Sequence, residues 1–361
     1  MPAIGKQFQL DPGYIVHLTS AVQFGFITGT LLFAILGVAD RFSPSLVFFV
    51  SALIAGCINL VIVVPGLGTT GLLSCRFLTG FFLAGIYPVG MKIAADHYRQ
   101  GLGKSLGFLV GALVLGTSFP HFLKAISHDL PWRYLVYTTS ALSLLGGLAM
   151  WLLVPDGPDR QAAQPFRFDA FWKGFANKNF RAAALGYFGH MWELYAFWVF
   201  VPVMLTAYQQ RHPAASLNIS LLSFIIIAAG GVACVLSGLL SGSFGVKRTA
   251  TGALLISCIC CLTSPLMLFI PSPAALIIFL FIWGMAVIAD SPMFSTLVAQ
   301  NAPASAKGSS LTIVNCIGFA TTIISIQLIN AWRNEANEQY IYLLLAIGPI
   351  AGLTALLRNK D

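Results

Sequence analysis

Charge is what this chain has least of. Of its 361 residues only 9% are Asp, Glu, Lys or Arg, against roughly 25% in an ordinary soluble domain. Acids are the scarcer sign, twelve against twenty Lys and Arg, which leaves a formal net charge of +8. So little charge excludes a disordered chain, which needs polar residues to stay solvated, and a nucleic-acid enzyme. Seven cysteines (57, 75, 234, 258, 260, 261 and 316) all lie inside apolar runs. They have neither metal-ligand spacing nor the pattern of a secreted disulfide framework, so free buried thiols are expected and no metal site is. A phosphate-binding Walker loop, a G-x-S-x-G elbow and a catalytic carboxylate pair in a polar domain are all missing, so neither an enzyme nor a cofactor is expected.

What the chain has instead is apolar surface. Hydrophobic types make up 57% and the mean hydropathy is +0.83. Eleven apolar runs are long enough to cross a bilayer as helices, near 14–39, 46–65, 70–95, 105–125, 132–154, 182–208, 218–241, 249–270, 274–298, 308–331 and 339–358. Strands are excluded, because no alternating ten-residue pattern recurs. The expectation is an all-α polytopic membrane protein. The connections alternate in charge: fourteen Lys and Arg fall on one side, including Arg41, Lys92, Arg99, Lys247 and Arg358, and five on the other. The first side, with the C-terminus, is therefore expected in the cytoplasm. The positive charge is read as loops facing an anionic inner leaflet and not as nucleic-acid binding. The longest loop, 155–181, holds Pro155, Pro158 and Pro165. It reads as a cytoplasmic linker between an N-terminal bundle, 1–154, and a C-terminal six-helix bundle, 182–361.

An internal repeat supports two bundles. The turn GVADRFSPS, with Asp40 and Arg41, is echoed by GLLSGSFGVKR at an offset of 202, Tyr87-Pro88 by Ser291-Pro292 at 204, and Lys104-Ser105-Leu106 by Ser309-Ser310-Leu311 at 205. On that offset the first span matches the seventh, and the sixth, 182–208, has no partner. The expectation is that one helix is missing at the N-terminus, absent or not included in the chain.

With these landmarks in place, the chain resembles the major facilitator superfamily. Val38-Ala-Asp-Arg41 stands where that family has G-x-L-A-D-R-x-G-R-K, although Leu36 replaces the first glycine, Gly37 follows one place on, and Ser43-Pro44-Ser45 replaces the later glycine and basic residues. RFLTGFFLAGIYPVG, from Arg76 to Gly90, fits the family's fourth helix well, and Gly107, Gly111, Gly116 and Pro120 fit its fifth loosely. The resemblance implies two helical bundles, here five spans and six, rocking about a central site as a secondary transporter by alternating access. It also implies a gating role for Asp40 and Arg41, the aspartate pairing with basic groups such as Arg99. YPVGMK, Tyr87 to Lys92, is similar to the nitrate/nitrite porter branch. That branch uses an arginine in its second and eighth helices, and spans 14–39 and 218–241 contain none.

A charge in hydrocarbon costs on the order of 3 kcal/mol, so each one within a span needs a reason. Glu193 is the sharpest candidate. His190 lies three residues before it on the same helical face, inside the aromatic run Gly186–Trp198. Loss of water favours a neutral carboxyl, as proton coupling requires; the alternative is an acid hydrogen-bonded to a neighbouring helix that locks the fold. Arg76 suits a carboxylate or other anion, or else is a buried structural cation. Asp290 precedes the Ser291-Pro292 kink and serves cavity or kink. Tyr87 joins the proton and substrate candidates. Gly80, Gly85, Gly107, Gly111 and Gly116, with Pro120, are expected to permit close helix contact and bending.

The function expected is a secondary transporter of a small solute, an organic anion or other metabolite, by proton-coupled symport across a bacterial cytoplasmic (inner) membrane. Its partners are then the solute, protons and the bilayer, and a monomer suffices. The alternative is a non-transporting membrane sensor or degenerate paralogue.

Overall fold

The computed structural model describes residues 14–98, 102–126, 131–160, 166–303 and 307–358. Within them the chain is helical, with no strand among the described residues. The helices are α1 (Tyr14–Ile35), α2 (Val38–Arg41), α3 (Pro44–Val61), α4 (Thr69–Leu83), α5 (Tyr87–His97), α6 (Leu102–Ile126), α7 (Trp132–Leu153), α8 (Asp169–Ala176), α9 (Lys178–Arg211), α10 (Ile219–Phe244), α11 (Val246–Phe269), α12 (Pro273–Ala289), α13 (Ser291–Asn301), α14 (Lys307–Trp332) and α15 (Ile347–Arg358), the last preceded by a 3₁₀ turn, Ile341–Ala346. Among the described residues eleven segments are long and apolar enough to cross a membrane, matching the eleven runs of the sequence to within a few residues.

Local sequence explains where helices start and break. Asn177, Asn218 and Ser272 cap α9, α10 and α12 by accepting bonds from first-turn amides, which removes donors the helix cannot satisfy itself. Two spans are each split in two. One breaks between Leu83 and Tyr87 and the other at Asp290, and in both the new helix carries proline in its first turn, Pro88 or Pro292, where the missing amide hydrogen costs nothing. Gly37, the N-cap of α2, has φ +60°. That left-handed turn takes glycine at no steric cost, so the glycine displaced by one position still makes the sharp connection.

The repeat extends to the helices. The starts of α1, α3, α4, α5, α6 and α7 recur at those of α10, α11, α12, α13, α14 and the final 3₁₀ turn, at offsets of 202 to 209. The split span recurs with both halves at 204, residues 69 and 87 matching 273 and 291. Among the described residues α9 has no counterpart in the first half.

Contacts divide the chain into two compact units. The first holds residues 1–102 and 129–168, the second 103–128 and 169–361. This differs from the expected boundary at 154 in placing nearly all of α6 with the later helices. The physical reason is a stripe of small residues. Built Cβ atoms on Gly107 and Gly111 of α6 would lie 2.8 and 2.9 Å from the carbonyl oxygens of Cys234 and Gly231 on α10, so only glycine lets these backbones meet. In the first unit α1 and α4 approach as closely. A side chain at Gly25 or Gly29 would overlap the carbonyl of Phe77 or Phe81, and one at Gly80 that of Val22. Gly85 sits in the break after α4 against Ser51 and Phe33. Gly116 does not share this role: it is exposed and nothing lies within 4 Å of the place its Cβ would take. Six of the seven thiols are buried as expected, but Cys57 is exposed, on the outward side of α3.

These contacts make a simple expectation. Gly80→Ala forces α1 off α4 and destabilises the protein by about 1–3 kcal/mol, seen as a lowered midpoint of thermal unfolding in detergent. Gly116→Ala leaves that midpoint unchanged or slightly raised.

Candidate functional site

The second unit buries three ionisable side chains together. His190 and Glu193 stand one turn apart on α9, and Asp290 lies at the break between α12 and α13; each is about 1% exposed. The break explains how Asp290 comes to face α9. Its carbonyl accepts from the amide of Phe294, 2.9 Å away, and so starts α13, but its carboxylate caps nothing and is free to turn to a neighbour. That neighbour is His190, whose Nδ1 lies 2.7 Å from Oδ1. The contact has ion-pair distance but not the direction of a hydrogen bond, and Nε2 of His190 and Oδ2 of Asp290 also have no hydrogen-bond partner. Close packing holds the pair. Gly186, a turn before His190, leaves room for the ring of Phe294, and Gly189 lets the carbonyl of Gly348 on α15 approach.

Glu193 is held differently. Its Oε1 accepts from Ser257 Oγ, from Trp283 Nε1 at 2.5 Å and from Cys261 Sγ at 3.2 Å. Ser257 and Cys261 are four residues apart on α11, so they share one face, and Trp283 comes from α12. Several donors converging on one oxygen fix a buried carboxyl group firmly. They also pin α9, α11 and α12 to one another at a single oxygen.

Arg76 lies on α4 in the first unit. Its Nη2 donates to Asn59 Oδ1 of α3 at 3.2 Å, and the amide of Asn59 donates in turn to Ser140 Oγ (2.9 Å) and Thr139 Oγ1 (3.3 Å) of α7. A neutral amide shares the guanidinium's hydrogens but does not balance its charge, and no carboxylate lies within ion-pair distance of Arg76 among the described residues. At the α3/α11 offset of 202, Asn59 corresponds to Cys261. The same place in each unit thus touches that unit's intramembrane charge.

Where α2 meets α5 in the first unit, Asp40 pairs with Lys92 of α5 at 3.0 Å, and Lys92 reaches Asp96 at 3.5 Å. Arg99, the partner expected from the sequence, lies outside the described residues. Arg41 is exposed. The start of the linker is part of this cluster: Arg160 donates to the carbonyls of Asp40 (2.9 Å) and Phe42 (2.6 Å) and pairs with Asp156 (2.7 Å), which accepts from Ser43 Oγ. All these contacts lie within one unit. Tyr87 opens α5 and is half-buried; His121 follows Pro120 within α6.

Of the residues singled out in the sequence, the structure therefore assembles His190, Glu193 and Asp290, leaves Arg76 with an amide, and joins Asp40 to Lys92. It adds Asn59, Ser257, Cys261, Trp283 and Arg160. A search for polar residues in apolar runs would have found Asn59. Ser257, Cys261 and Trp283 look like ordinary helix residues, and Arg160 like an ordinary linker residue, until the packing is known. No group of three or more His, Cys, Asp and Glu suited to a metal ion occurs among the described residues.

The Arg76 network has a measurable strength. Asn59→Leu strands a guanidinium and is expected to cost about 1–3 kcal/mol in thermal unfolding. Arg76→Met combined with it recovers much of that loss, because replacing both partners leaves nothing unsatisfied.

A family model described as Major Facilitator Superfamily matches residues 1–326. No curated protein matches the chain. With eleven apolar helices and a family match over most of its length, the chain belongs to the Major Facilitator Superfamily, a multi-pass membrane protein that carries some small solute across a bilayer as a secondary transporter.

Proposed function

We propose that this transporter moves a small organic anion by alternating access and couples it to protons through His190 and Asp290. The observation that carries the reading is the buried pair itself. Imidazole can both take up and release a proton, and each exchange changes the net charge of the pair by one. In a space closed to water such a change is strongly felt by the surrounding helices, and ionisable groups kept within a membrane mark ion and substrate paths. The polar atoms left without partners, Nε2 of His190 and Oδ2 of Asp290, support a site that gives and takes protons.

Glu193 has the opposite character. With three donors on one oxygen it supports the role of holding α9 against α11 and α12, so it stands beside the exchanging pair as the acid that keeps His190 in place. Arg76 supports the anionic substrate class: among the described residues no acid lies within ion-pair distance of it, and its planar fork fits a carboxylate. Asp40, Arg41 and Tyr87 belong to this reading as gate and lining residues of the first unit, with Lys92 and Arg160 joining the gate cluster.

The test is uptake of labelled short-chain mono- and dicarboxylates into proteoliposomes, with and without an inward proton gradient. The gradient is expected to drive accumulation of at least one of them. Asp290→Asn and His190→Gln should abolish gradient-driven accumulation by tenfold or more while exchange of substrate across the membrane persists. Glu193→Gln, which keeps an acceptor oxygen, should retain coupling, and Arg76→Gln should raise KM more than it lowers the maximal rate. Exchange and accumulation lost together in Asp290→Asn, in a folded protein, would refute the coupling role. No carboxylate uptake at all would refute the substrate class.

A further inference from the structure

The two units use their basic residues differently. In the first unit Lys92 and Arg160 are spent on Asp40, Asp96 and Asp156. At the corresponding end of the second unit, where α9, α11 and α14 start and α15 ends, stand Lys178, Arg181, Arg248, Lys307 and Arg358, all exposed and none in a salt bridge shown by the structure. Among the described residues the acid at this end is Asp169, which holds Lys173 at 2.6 Å.

Helix α8 adds an apolar anchor to this charge. One side of it is fixed to the bundle: Phe175 stacks edge-on against the buried Phe180, Gly174 fits against the same ring, and Arg181 Nη1 donates to the carbonyl of Phe175 at 3.3 Å. Away from that contact Trp172 is 74% exposed and the side chain of Lys173 64%. Such an exposed tryptophan is unusual for a residue of this size. It lies six residues before Lys178, where the membrane-spanning segment begins, and so at the level where an indole sits between headgroups and acyl chains.

We infer that α8 and the first turn of α9 form a binding site for anionic phospholipid headgroups of the host bilayer, with Trp172 as the apolar anchor and Lys173, Lys178 and Arg181 as the cationic contacts. Each Lys or Arg close to an anionic surface adds to its attraction, and arginine offers a fork that meets phosphate oxygens in pairs. An amphipathic helix with tryptophan on its apolar side and lysine beside it is the arrangement that settles into the headgroup layer. The linker would then be tied at both ends, to the first unit by Arg160 and to the membrane by α8.

The experiment is thermal unfolding of the full chain in a neutral detergent with added dioleoyl phosphatidylglycerol, dioleoyl phosphatidylcholine or glycerol phosphate. Phosphatidylglycerol is expected to raise the midpoint by on the order of 3 °C or more, and the other two to leave it in place. The rise should shrink in 0.5 M salt, where surface charges are screened over about 4 Å. It should be lost in the triple variant K173Q/K178Q/R181Q, roughly halved in K173Q/K178Q, which keeps the Arg181 bond to α8, reduced in Trp172→Ala, and retained in Lys124→Gln, on the opposite side of the membrane. Full stabilisation of the triple variant by phosphatidylglycerol would overturn the site. Equal stabilisation by glycerol phosphate would overturn the assignment to lipid.

Discussion

A helix in hydrocarbon must satisfy every polar group without the help of water, and the interior of this protein is arranged around that constraint. Backbone amides are satisfied within helices, so the arrangement turns on the few side chains that cannot be. Glu193 is the fullest case. Three donors from two other helices converge on one of its oxygens, and with them α9 acquires a fixed rotation about its axis. That rotation sets His190, one turn earlier, toward the break at which Asp290 sits. The contact between α9 and α15 through Gly189 and Gly348 belongs to the same solution, since a helix pinned by hydrogen bonds can be brought close only where its side chains are small.

The repeat shows what is shared and what is not. Both units split one span before a proline, at positions 204 apart, and both place a polar residue at the equivalent point of α3 or α11, Asn59 or Cys261. Their loads differ in sign. The first unit carries a cation held by an amide; the second carries acids and an imidazole. A common backbone whose matching polar positions, Asn59 and Cys261, touch charges of opposite sign gives two chemically distinct halves from one plan.

Much of this was legible in the sequence, and the limit has a physical cause. Spans are legible because hydrocarbon imposes a length and a composition on contiguous residues, and the Pro88 and Pro292 breaks because proline acts on its own helix. Glu193, His190, Asp290 and Arg76 stand out because charge within an apolar run is expensive. Their partners do not. Ser257 and Cys261 cost little when buried and carry no signature; only the packing of α9 on α11 gives them meaning. The same holds for Gly116, which has the spacing of a packing glycine but points into open space, and for Arg160, which reads as a linker residue until its fork is seen on the carbonyls of Asp40 and Phe42. Sequence reports what each helix contains, and contacts between helices decide what it does.

The linker illustrates how these levels combine. Its first residues are bound to the first unit through Arg160, and its last helix is bound to the second through Phe175 and Phe180. The cluster around Asp40 then does two jobs at once: it ties the helix ends of the first unit together and fixes the point from which the linker departs, so a loss of Arg160 would free the carbonyls of Asp40 and Phe42 and the carboxylate of Asp156 in one step.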